Sequence, residues 1–593
     1  MALDEEQSSA ALDPGRAIDW LSNCMDLSGV DAAALELLAA GAIHFSLPAG
    51  ALLFDSGANP DGVYLLVSGR LGVQTAGKNS LTAEIGSGEL VGEAGWLLKQ
   101  QRSATVVALR DSEILLIEDT ALDHVAAHST LFCLAMARLC ARRLRRTNRQ
   151  EYKPKRARIF AIVPNSIEVD VADFATGLVD ELSLLGRTEL VWDARATTHT
   201  AAWFNRIEEL NDHVVYVADS SLSGWTRQCC RQADVLLMLA NARAEPRPWP
   251  SGLAELAAAR GARVELALLH EERLQPGAAA PWLAGLPASL HHHIIDDTDL
   301  GRVARLLTRR GVGLVLSGGG ARGFAHMGVI RALREARVPL DFVGGSSIGG
   351  IIAAGVAMGW DDEEMRLRYR RSFVATNPVN DYTLPFVALT RGRKVSKLLE
   401  REYGDTLIED LRRPFFCISA NLTTGKTLEH RSGGLAAALR AAVAIPGIMP
   451  PVFRDVGVLV DGAAINNLPV DLMQGHAPGF VIGCDVGADR SFGKTRINIF
   501  QILTRAGMIN SDSVSAAQRE LADLLLKPPL VNIDLLNWQA FDRAIQAGYE
   551  YARGVLAQHT DVPRVLETVQ ATGRANSLSE ELERRVAARL ATG

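Results

Sequence analysis

Near its middle the chain reads Asp341-Phe-Val-Gly-Gly-Ser-Ser-Ile-Gly-Gly350. Residues 345 to 349 of this stretch spell Gly-x-Ser-x-Gly, between an apolar pattern that predicts a strand and a small-residue pattern that predicts a helix. The glycines allow a sharp turn and close packing of the helix, because they carry no side chain. The stretch predicts that Ser347 stands at a strand end as a nucleophile, between the elbow glycines Gly345 and Gly349. A plain glycine turn is the alternative for these five residues alone.

A second glycine-rich turn lies about one strand and one helix upstream. An apolar strand pattern, residues 312 to 316, runs into Ser317-Gly-Gly-Gly-Ala-Arg-Gly323, and a helix is predicted over residues 324 to 335. A dinucleotide site would need an acidic residue at the end of the next strand, but that strand leads to Ser347. Backbone amides at a helix start also stabilise an oxyanion. We expect the loop to form an oxyanion hole from Gly318, Gly319, Gly320, Ala321, Arg322 and Gly323.

A third pattern places an acidic residue at the end of an apolar strand, in Val458-Leu-Val-Asp461-Gly-Ala463. A turn or helix-cap role is the alternative for such an aspartate. The three patterns together resemble those of the patatin-like phospholipase family, over residues 311 to 485. The resemblance implies that Gly318 to Gly323 form the oxyanion hole, that Ser347 is the nucleophile and that Asp461 completes a Ser-Asp dyad.

The same resemblance implies an activity, the hydrolysis of acyl esters in phospholipids or lysophospholipids, with no cofactor required. A conventional triad would need a histidine, and the candidates are His326, His476 and His559. The resemblance predicts that all three are structural. The alternative function is a cyclic nucleotide sensor whose hydrolase domain is inert and binds lipid. The completeness of the three catalytic patterns favours the enzyme.

The whole-chain composition limits the classes of function. At 593 residues the chain predicts three or four domains, and its net charge of −6 argues against a nucleic-acid partner. No apolar run reaches the roughly 20 residues of a membrane helix, and the acidic start differs from a secretory signal. We expect a cytoplasmic protein. The seven cysteines have no spacing for a metal or redox site and lie at positions 24, 133, 140, 229, 230, 417 and 484.

Short β-like runs broken by glycines predict a small barrel or jelly roll over residues 43 to 147. Its stretch Leu90-Val-Gly-Glu-Ala-Gly-Trp-Leu-Leu-Lys-Gln-Gln-Arg-Ser-Ala-Thr105 resembles the phosphate-binding cassette of cyclic nucleotide-binding domains. The resemblance implies that cyclic AMP or cyclic GMP binds as a regulator, with Glu93 on the ribose and Arg102 on the phosphate. A scaffold that has lost its ligand is the alternative. The implied site comprises Gly92, Glu93, Arg102, Ser103 and Ala104, and the helix that follows, residues 120 to 147, leaves a homodimer open.

Alternating strand and helix patterns predict a doubly wound, Rossmann-like α/β domain over residues 158 to 310. Its first loop has no glycine-rich phosphate motif, so nucleotide hydrolysis is not expected there. His291, His292 and His293 are adjacent on an extended segment and point to alternating sides, which favours a structural role over a metal site. The basic stretch from Arg142 to Arg158 is a solvated helix end and linker, or else a contact for anionic lipid.

The order of these domains resembles proteins related to neuropathy target esterase. We predict a multidomain α/β protein with an N-terminal helical segment (1–42), a cyclic nucleotide-binding-like barrel (43–147), a basic linker (148–157), the Rossmann-like domain (158–310), the patatin-like domain (311–485) and a C-terminal helical extension (486–593). Apolar segments near the site, residues 383 to 389 and 445 to 453, predict peripheral contact with a membrane.

Overall fold

The computed structural model describes residues 14–75, 81–148, 158–166, 169–192, 201–247, 262–286, 288–384, 386–487 and 509–558. Two compact units are present. The first comprises residues 1–163, 188–237 and 249–264, and the second comprises residues 164–187, 238–248 and 265–593.

The N-terminal part is a sandwich of two four-stranded antiparallel sheets, with strand orders β1-β8-β3-β6 and β2-β7-β4-β5. The strands are β1 Ala42–Leu47, β2 Leu52–Phe54, β3 Gly62–Ser68, β4 Arg70–Thr75, β5 Leu81–Gly86, β6 Leu90–Val91, β7 Ala104–Ala108 and β8 Ser112–Glu118. The helices are α1 Pro14–Ser22, α2 Ala32–Ala40, α3 Glu93–Leu98, α4 Asp119–His128 and α5 Thr130–Asn148.

Strand β3 explains why this segment folds as two layers. Successive side chains of a strand point to opposite faces. Val63 and Leu65 lie in a hydrophobic cluster with residues of the N-terminal helices. Tyr64 and Leu66 lie in a second hydrophobic cluster, which strands of both sheets form. A strand that is apolar on both faces is therefore buried on both faces, as the predicted jelly roll requires.

The second region has a six-stranded sheet with the order β10-β11-β9-β12-β13-β14. The strands are β9 Ile159–Pro164, β10 Thr188–Val191, β11 His213–Val217, β12 Val235–Asn241, β13 Arg263–Leu269 and β14 Leu290–Ile294. The helices are α6 Val171–Ser183, α7 Ala201–Leu210, α8 Gly224–Gln232, α9 Ala279–Ala284 and α10 Asp297–Leu307. Parallel pairing of β9, β10 and β11 agrees with the predicted Rossmann-like pattern.

The third region has an eight-stranded sheet with the order β19-β20-β17-β16-β15-β21-β22, and β18 pairs with β17. The strands are β15 Gly311–Leu316, β16 Phe342–Ser346, β17 Phe415–Asn421, β18 Lys426–His430, β19 Val452–Arg454, β20 Gly457–Asp461, β21 Gly479–Cys484 and β22 Leu524–Leu526. The helices are α11 Ala325–Glu335, α12 Ile348–Ala357, α13 Asp362–Tyr369, α14 Arg393–Tyr403, α15 Leu435–Ala442, α16 Val470–Gly475, α17 Ile509–Leu521 and α18 Phe541–Gln558.

This sheet brings the two glycine-rich turns together. Strands β15 and β16 are parallel neighbours, so the loop after β15 and the turn after β16 emerge at the same sheet edge. The chain continues from β15 to β16 on one side, whereas β21 lies on the other side of β15. Such a reversal of strand order leaves a crevice at the carboxyl ends of the strands, where ligands bind in open α/β sheets.

The C-terminal segment belongs to the same sheet and core. Strand β22 pairs in parallel with β21. Phe541 and Ala544 of α18 are buried in the hydrophobic core that the helices of this region share. The boundary predicted at residue 485 therefore cuts through a sheet. The sequence pattern missed β22 because it has only three residues and two prolines follow it closely.

The three adjacent histidines of β14 point to alternating sides. His291 and His293 both bond the main-chain oxygen of Glu409, each at 2.8 Å. His292 bonds Glu265 at 2.9 Å. Over the described ranges, no cluster of three or more His, Cys, Asp or Glu side chains has the arrangement of a metal site.

A membrane span requires a long and apolar helix, and no single helix among the described residues meets both requirements. The pair formed by residues 119–128 and 130–143 meets them together, but its two parts are bent by 114°.

Candidate active site

Ser347 lies at a strained turn between β16 and α12. Its backbone has φ 53° and ψ −127°, a conformation that residues other than glycine rarely adopt. The turn is tight because a Cβ on Gly349 would lie 2.2 Å from the carbonyl oxygen of Leu316, and one on Gly345 would lie 2.6 Å from it. Both elbow glycines are thus required by the neighbouring strand β15.

The Ser347 hydroxyl donates a hydrogen bond of 2.6 Å to Oδ2 of Asp461. The other carboxylate oxygen, Oδ1, accepts from the amide of Ala463 at 2.9 Å. Asp461 is completely buried, and burial raises its pKa to about 6, against the lowering effect of these two hydrogen bonds. The result is a carboxylate that is more basic than an exposed aspartate and is directly bonded to the serine.

Strand register explains how two distant motifs meet. Ser346 on β16 pairs with Ile418 on β17. The next residue of β17, Ser419, pairs with Asp461 on the antiparallel strand β20. Asp461 therefore stands level with Ser347, and strand β17 lies between β20 and β16. A Cβ on Gly462 would lie 2.6 Å from the carbonyl oxygen of Ile418, so the turn after Asp461 also requires glycine.

The candidate histidines of a triad are placed elsewhere. His326 bonds the carbonyl oxygen of Ser317 at 2.9 Å and the thiol of Cys484 at 3.2 Å. His476 bonds Glu429 at 2.6 Å. His559 lies outside the described residues. Across the part of the chain that the structure describes, no histidine ring is hydrogen-bonded to the serine or the aspartate of the pair.

The glycine-rich loop presents fewer amides than the sequence suggested. The amide of Gly318 donates to the carbonyl of Asn467 at 3.2 Å, and that of Ala321 donates to the carbonyl of Leu535 at 2.7 Å. Within the described residues, the amides of Gly319 and Gly320 donate to no protein acceptor. The predicted set of oxyanion donors is therefore reduced to these two N–H groups, and their role stays a prediction.

Arg322 binds main-chain carbonyls, whereas the sequence predicts a supporting role for it in the oxyanion hole. Its guanidinium donates to main-chain carbonyls of the C-terminal segment, at distances of 2.7 to 3.4 Å: Val486, Gly487, Leu530 and Ile533. Gly323 also serves packing, because a Cβ there would lie 2.4 Å from the side chain of Ile348. Both residues shape the loop rather than supply donors to the site.

Two contributors were missed by sequence reasoning, Asn467 and Leu535. Asn467 lies in the Asn-Asn-Leu-Pro stretch that follows Asp461, and its Nδ2 donates to the carbonyl of Gly318 at 3.2 Å. The position of Asn467, shortly after the third motif, could have indicated that it lies near the glycine-rich loop. Leu535 acts through its carbonyl oxygen, which would be 2.2 Å from a Cβ on Gly320, a residue with φ 55°. No side-chain pattern could have revealed that contact.

The nucleotide cassette of the barrel is already occupied by the protein's own groups. Arg102 is buried, and Nη2 bonds Oδ1 of Asp61 at 2.6 Å, while Nη1 donates to the carbonyl of Gly92 at 2.7 Å. The Asp61 side chain is 58% exposed, so its carboxylate occupies the solvent side of the guanidinium. Tyr64 donates a further hydrogen bond of 2.6 Å to the same carboxylate.

Glu93, the second predicted ligand residue, is also paired. It is buried, and both of its carboxylate oxygens accept from the guanidinium of Arg143 on α5. Gly92 has φ 90°, and a Cβ there would lie 2.4 Å from Nη1 of Arg102. Ser103 and Ala104 follow at the start of β7, so the five predicted cassette residues do lie together.

The basic stretch is only partly described. Arg142 pairs with Asp26 at 2.9 Å, and Arg158 donates to the carbonyl of Asp212 at 3.0 Å. Residues 149 to 157 lie outside the described residues, so the predicted linker and its lipid contact stay predictions.

An exposed apolar loop precedes a segment that is linked to Asp461 by main-chain hydrogen bonds. Leu384 and Phe386 are 73% and 91% exposed, and Tyr382 and Val387 are also exposed. The loop returns along the segment after Ala444, where the amide of Leu389 donates to Gly447 and that of Thr390 to Ile448. The carbonyl of Ala444 in turn accepts from the amide of Asp461 at 2.9 Å. The apolar loop is thus connected to Asp461 through one short segment.

Three family models match the chain in the order that the sequence predicts. A cyclic nucleotide-binding domain matches residues 44–129, a Neuropathy Target Esterase family P-loop like domain matches residues 157–308, and a patatin-like phospholipase matches residues 314–473. These matches confirm the predicted family resemblance and the predicted fold class.

Curated relatives match most of the chain. The human patatin-like phospholipase domain-containing protein 6 is 27% identical over 90% of this chain and 46% of its own length. A lysophospholipase of Phaeosphaeria nodorum is 28% identical over 86% of this chain and 42% of its own length. The chain thus spans less than half the length of these two relatives.

Among solved structures, a catabolite activator protein of Thermus thermophilus is 24% identical over 27% of this chain and 68% of its own, with a TM-score of 0.20. A neuropathy target esterase (NTE) family protein of Mycobacterium tuberculosis (strain ATCC 25618 / H37Rv) is 31% identical over 92% of this chain and 97% of its own length. With this near full-length match, three domain models in order and the three catalytic motifs, the chain belongs to the NTE family of proteins with a patatin-like phospholipase domain.

Proposed function

We propose that the chain is a serine hydrolase that cleaves acyl esters of lysophospholipids or phospholipids with Ser347 and Asp461 as a catalytic dyad. The hydrogen bond of 2.6 Å between the Ser347 hydroxyl and the buried Asp461 carboxylate carries this proposal. A nucleophilic serine needs an adjacent base, and the only titratable side chain bonded to Ser347 within the described residues is this aspartate.

In the acylation step, Oγ of Ser347 attacks the ester carbonyl and its proton passes to Oδ2 of Asp461. The tetrahedral oxyanion accepts hydrogen bonds from the amides of Gly319 and Gly320, which have no protein acceptor within the described residues. Loss of one such donor costs about 3 kcal/mol in transition-state stabilisation. The leaving alcohol then takes the proton from Asp461, and the acyl group remains on Ser347.

In the deacylation step, a water molecule gives a proton to Asp461 and attacks the acyl carbonyl. Collapse of the second oxyanion releases the fatty acid, and the proton returns from Asp461 to Ser347. One carboxylate thus serves as base and then as acid in each half of the cycle. A pKa raised to about 6 by burial suits both roles near neutral pH.

The lipid substrate class rests on two supports. The relatives include a lysophospholipase and phospholipase domain-containing proteins. The exposed loop with Leu384 and Phe386 places apolar side chains in solvent beside the segment that contacts Asp461. A surface of this kind fits the interface of a bilayer, and Arg391 and Arg393 beside it are exposed cations that suit anionic headgroups. The proposed partner is therefore a phospholipid membrane bound peripherally.

Regulation by cyclic AMP or cyclic GMP belongs to the same proposal. Glu93 and Arg102 occupy the positions that ligand binding requires, but Asp61 holds the Arg102 guanidinium. A cyclic phosphate must therefore displace a carboxylate. This competition predicts weak binding in the native barrel, and a scaffold without ligand is the alternative.

The decisive experiment compares wild type with Ser347→Ala and Asp461→Asn on a panel of lysophospholipids, phospholipids and a soluble short-chain ester. Both variants should lose hydrolysis, and Ser347→Ala should also lose covalent labelling by a fluorophosphonate. Ser346→Ala is the matched control, because Ser346 is a buried neighbour whose hydroxyl has no hydrogen-bond partner among the described residues. Full hydrolysis by Ser347→Ala would overturn the proposal.

Histidine variants separate a dyad from a triad. His326→Ala and His476→Ala should keep most of the activity, since neither ring bonds the catalytic pair. A well-folded histidine variant as inactive as Ser347→Ala would indicate a triad.

The second candidate function is a cyclic nucleotide sensor with an inert hydrolase domain. It requires that Ser347 and Asp461 catalyse no reaction. A pair bonded at 2.6 Å at a strained elbow speaks against it. Wild type that neither hydrolyses any ester nor reacts with a fluorophosphonate would favour the sensor.

A further inference from the structure

We propose that Asn467 is a positioning residue for the oxyanion hole, and that it acts by fixing the peptide between Gly318 and Gly319. This inference rests on the proposed hydrolase function. It adds a role for a residue outside the dyad and outside the glycine loop.

Asn467 forms hydrogen bonds with both the amide and the carbonyl of Gly318. The main-chain carbonyl of Asn467 accepts from the Gly318 amide at 3.2 Å, and its side-chain Nδ2 donates to the Gly318 carbonyl at 3.2 Å. The hydroxyl of Ser317 also donates to this carbonyl at 3.2 Å. Asn467 is only 6% exposed, so its hydrogen bonds do not compete with bulk water.

The carbonyl of Gly318 and the amide of Gly319 belong to one peptide group. A trans peptide is planar, and its C=O and N–H point in opposite directions. A donor that holds the Gly318 oxygen therefore also sets the direction of the Gly319 N–H, one of the two loop N–H groups without an acceptor among the described residues. Because the peptide is planar, a hydrogen bond to the Gly318 carbonyl also fixes the Gly319 N–H that would bind the oxyanion.

This peptide needs an external anchor because both residues that flank it are glycines. Glycine has far more accessible backbone conformations than other residues, so a peptide between two glycines reorients easily. A side chain on Gly318 cannot supply the rigidity, since a Cβ there would lie 2.5 Å from Oδ1 of Asn467 and 3.0 Å from Cβ of Ser347. The glycine is imposed by crowding, and the asparagine compensates for its freedom.

The orientation of the Asn467 amide follows from the same contact. Its Oδ1 has no hydrogen-bond partner among the described residues, so only Nδ2 has a bond to keep. The reversed orientation would bring two acceptor oxygens together at the Gly318 carbonyl. The amide is therefore held as a donor to the loop.

The test uses the full chain with Asn467→Ala and Asn467→Asp, and with Asn466→Ala as the matched control. Asn466 is the buried neighbour, and its amide donates to Asp471 instead of the loop. We expect Asn467→Ala to lower kcat for a soluble short-chain ester by about 10- to 100-fold, with KM nearly unchanged. The loss is smaller than for deletion of a donor because Ser317 still holds the carbonyl.

A second readout isolates the oxyanion. A trifluoromethyl ketone forms a tetrahedral adduct with a nucleophilic serine, whereas the matching methyl ketone binds without forming the oxyanion. In Asn467→Ala, the inhibition constant of the trifluoromethyl ketone should rise by the same factor as kcat falls, and that of the methyl ketone should stay constant. Equal weakening of both inhibitors would mean that the pocket has collapsed, and it would overturn the inference.

Asn467→Asp keeps the size of the side chain and covers the case in which Asn467→Ala does not fold. An ionised carboxylate cannot donate to the Gly318 oxygen, so kcat should fall at mildly alkaline pH, and its ratio to wild type should recover as the new carboxyl is protonated. An unchanged kcat in a folded Asn467 variant, beside an active wild type, overturns this inference alone. An inactive wild type overturns the proposed function and this inference with it.

Discussion

At the residue scale, the burial of Asp461 determines how activity should depend on pH. The base accepts a proton from Ser347 only when its carboxylate is ionised, and its pKa is raised to about 6. We predict that kcat/KM rises with pH to a plateau, with a single acid limb near pH 6, measured on a soluble ester. A limb near pH 4 would show that Asp461 is not the titrating base.

A second prediction at this scale concerns stability. Because the folded pKa of Asp461 is raised from 3.8 to about 6, the ionised carboxylate opposes folding at pH values above both, by about 3 kcal/mol. Asp461→Asn should therefore be inactive, yet its urea midpoint at about pH 8 should equal or exceed that of wild type. A midpoint well below wild type would mean that the asparagine disrupts the site, and Ser347→Ala then serves as the inactive comparison.

The pairing of Ser347 with Asp461 could be predicted from the sequence, and the hydrogen bonds of the glycine-rich loop could not. Ser347 and Asp461 each lie in a short pattern whose glycines are required by neighbouring strands. Gly318 and Ala321 were expected to offer free amides, but their acceptors belong to residues 467 and 535. A local pattern reports which residues turn the chain, whereas it does not report which distant carbonyl a given N–H will meet.

At the element scale, the exposed loop beside the site carries a prediction about membranes. The double substitution Leu384→Ser with Phe386→Ser should reduce flotation with phospholipid vesicles and lower hydrolysis of vesicle substrate by about tenfold or more. Burial of two such side chains in the bilayer interface is worth roughly 3 kcal/mol. Hydrolysis of the soluble ester should stay unchanged, because neither side chain is part of the catalytic pair.

The control for this loop is Leu98→Ser, an exposed leucine of the nucleotide-binding-like sandwich. It should leave vesicle binding at the wild-type level. Equal loss of binding in both variants would indicate that any exposed apolar side chain has this effect, and the proposed loop would have no special role.

The nucleotide cassette carries the second prediction at this scale. Asp61→Ala frees the buried Arg102 from its carboxylate partner, so a phosphate no longer competes with an anion of the chain. Calorimetry should then show cyclic AMP or cyclic GMP binding about tenfold tighter than to wild type, and Arg102→Ala should remove it. Absence of binding in both wild type and Asp61→Ala would leave the cassette as a scaffold.

Element boundaries show what the patterns could and could not predict. The predicted barrel strands and Rossmann-like strands follow apolar runs, and a family model matches each of the two regions. The end of the catalytic sheet was missed, because the three residues of β22 are too few to form a pattern. Their place in the sheet comes from parallel pairing with β21, a contact that only the folded chain provides.

At the scale of the whole molecule, buried histidines predict loss of stability in mild acid. Burial lowers the pKa of His270 and His326 to about 4, and it also lowers that of His293. A lowered folded pKa means that the unfolded chain binds protons first, so stability falls as the pH drops from about 6.5 towards 4. Each histidine with a pKa near 4 contributes up to about 3 kcal/mol. Urea midpoints should fall steadily over this range, and constant midpoints between about pH 7 and pH 5 would contradict the prediction.

The contact between the oxyanion loop and the segment around Leu535 also has a consequence for biosynthesis. Ser347 and Asp461 leave the ribosome well before Leu535, whose carbonyl holds the amide of Ala321. At about 5 to 20 residues per second, the interval from Asp461 to Leu535 is roughly 4 to 15 s. During that interval the nascent chain has its nucleophile and base but no brace for the oxyanion loop. We expect the proposed hydrolase to stay inactive on the ribosome until the segment around Leu535 has emerged and bonded the amide of Ala321.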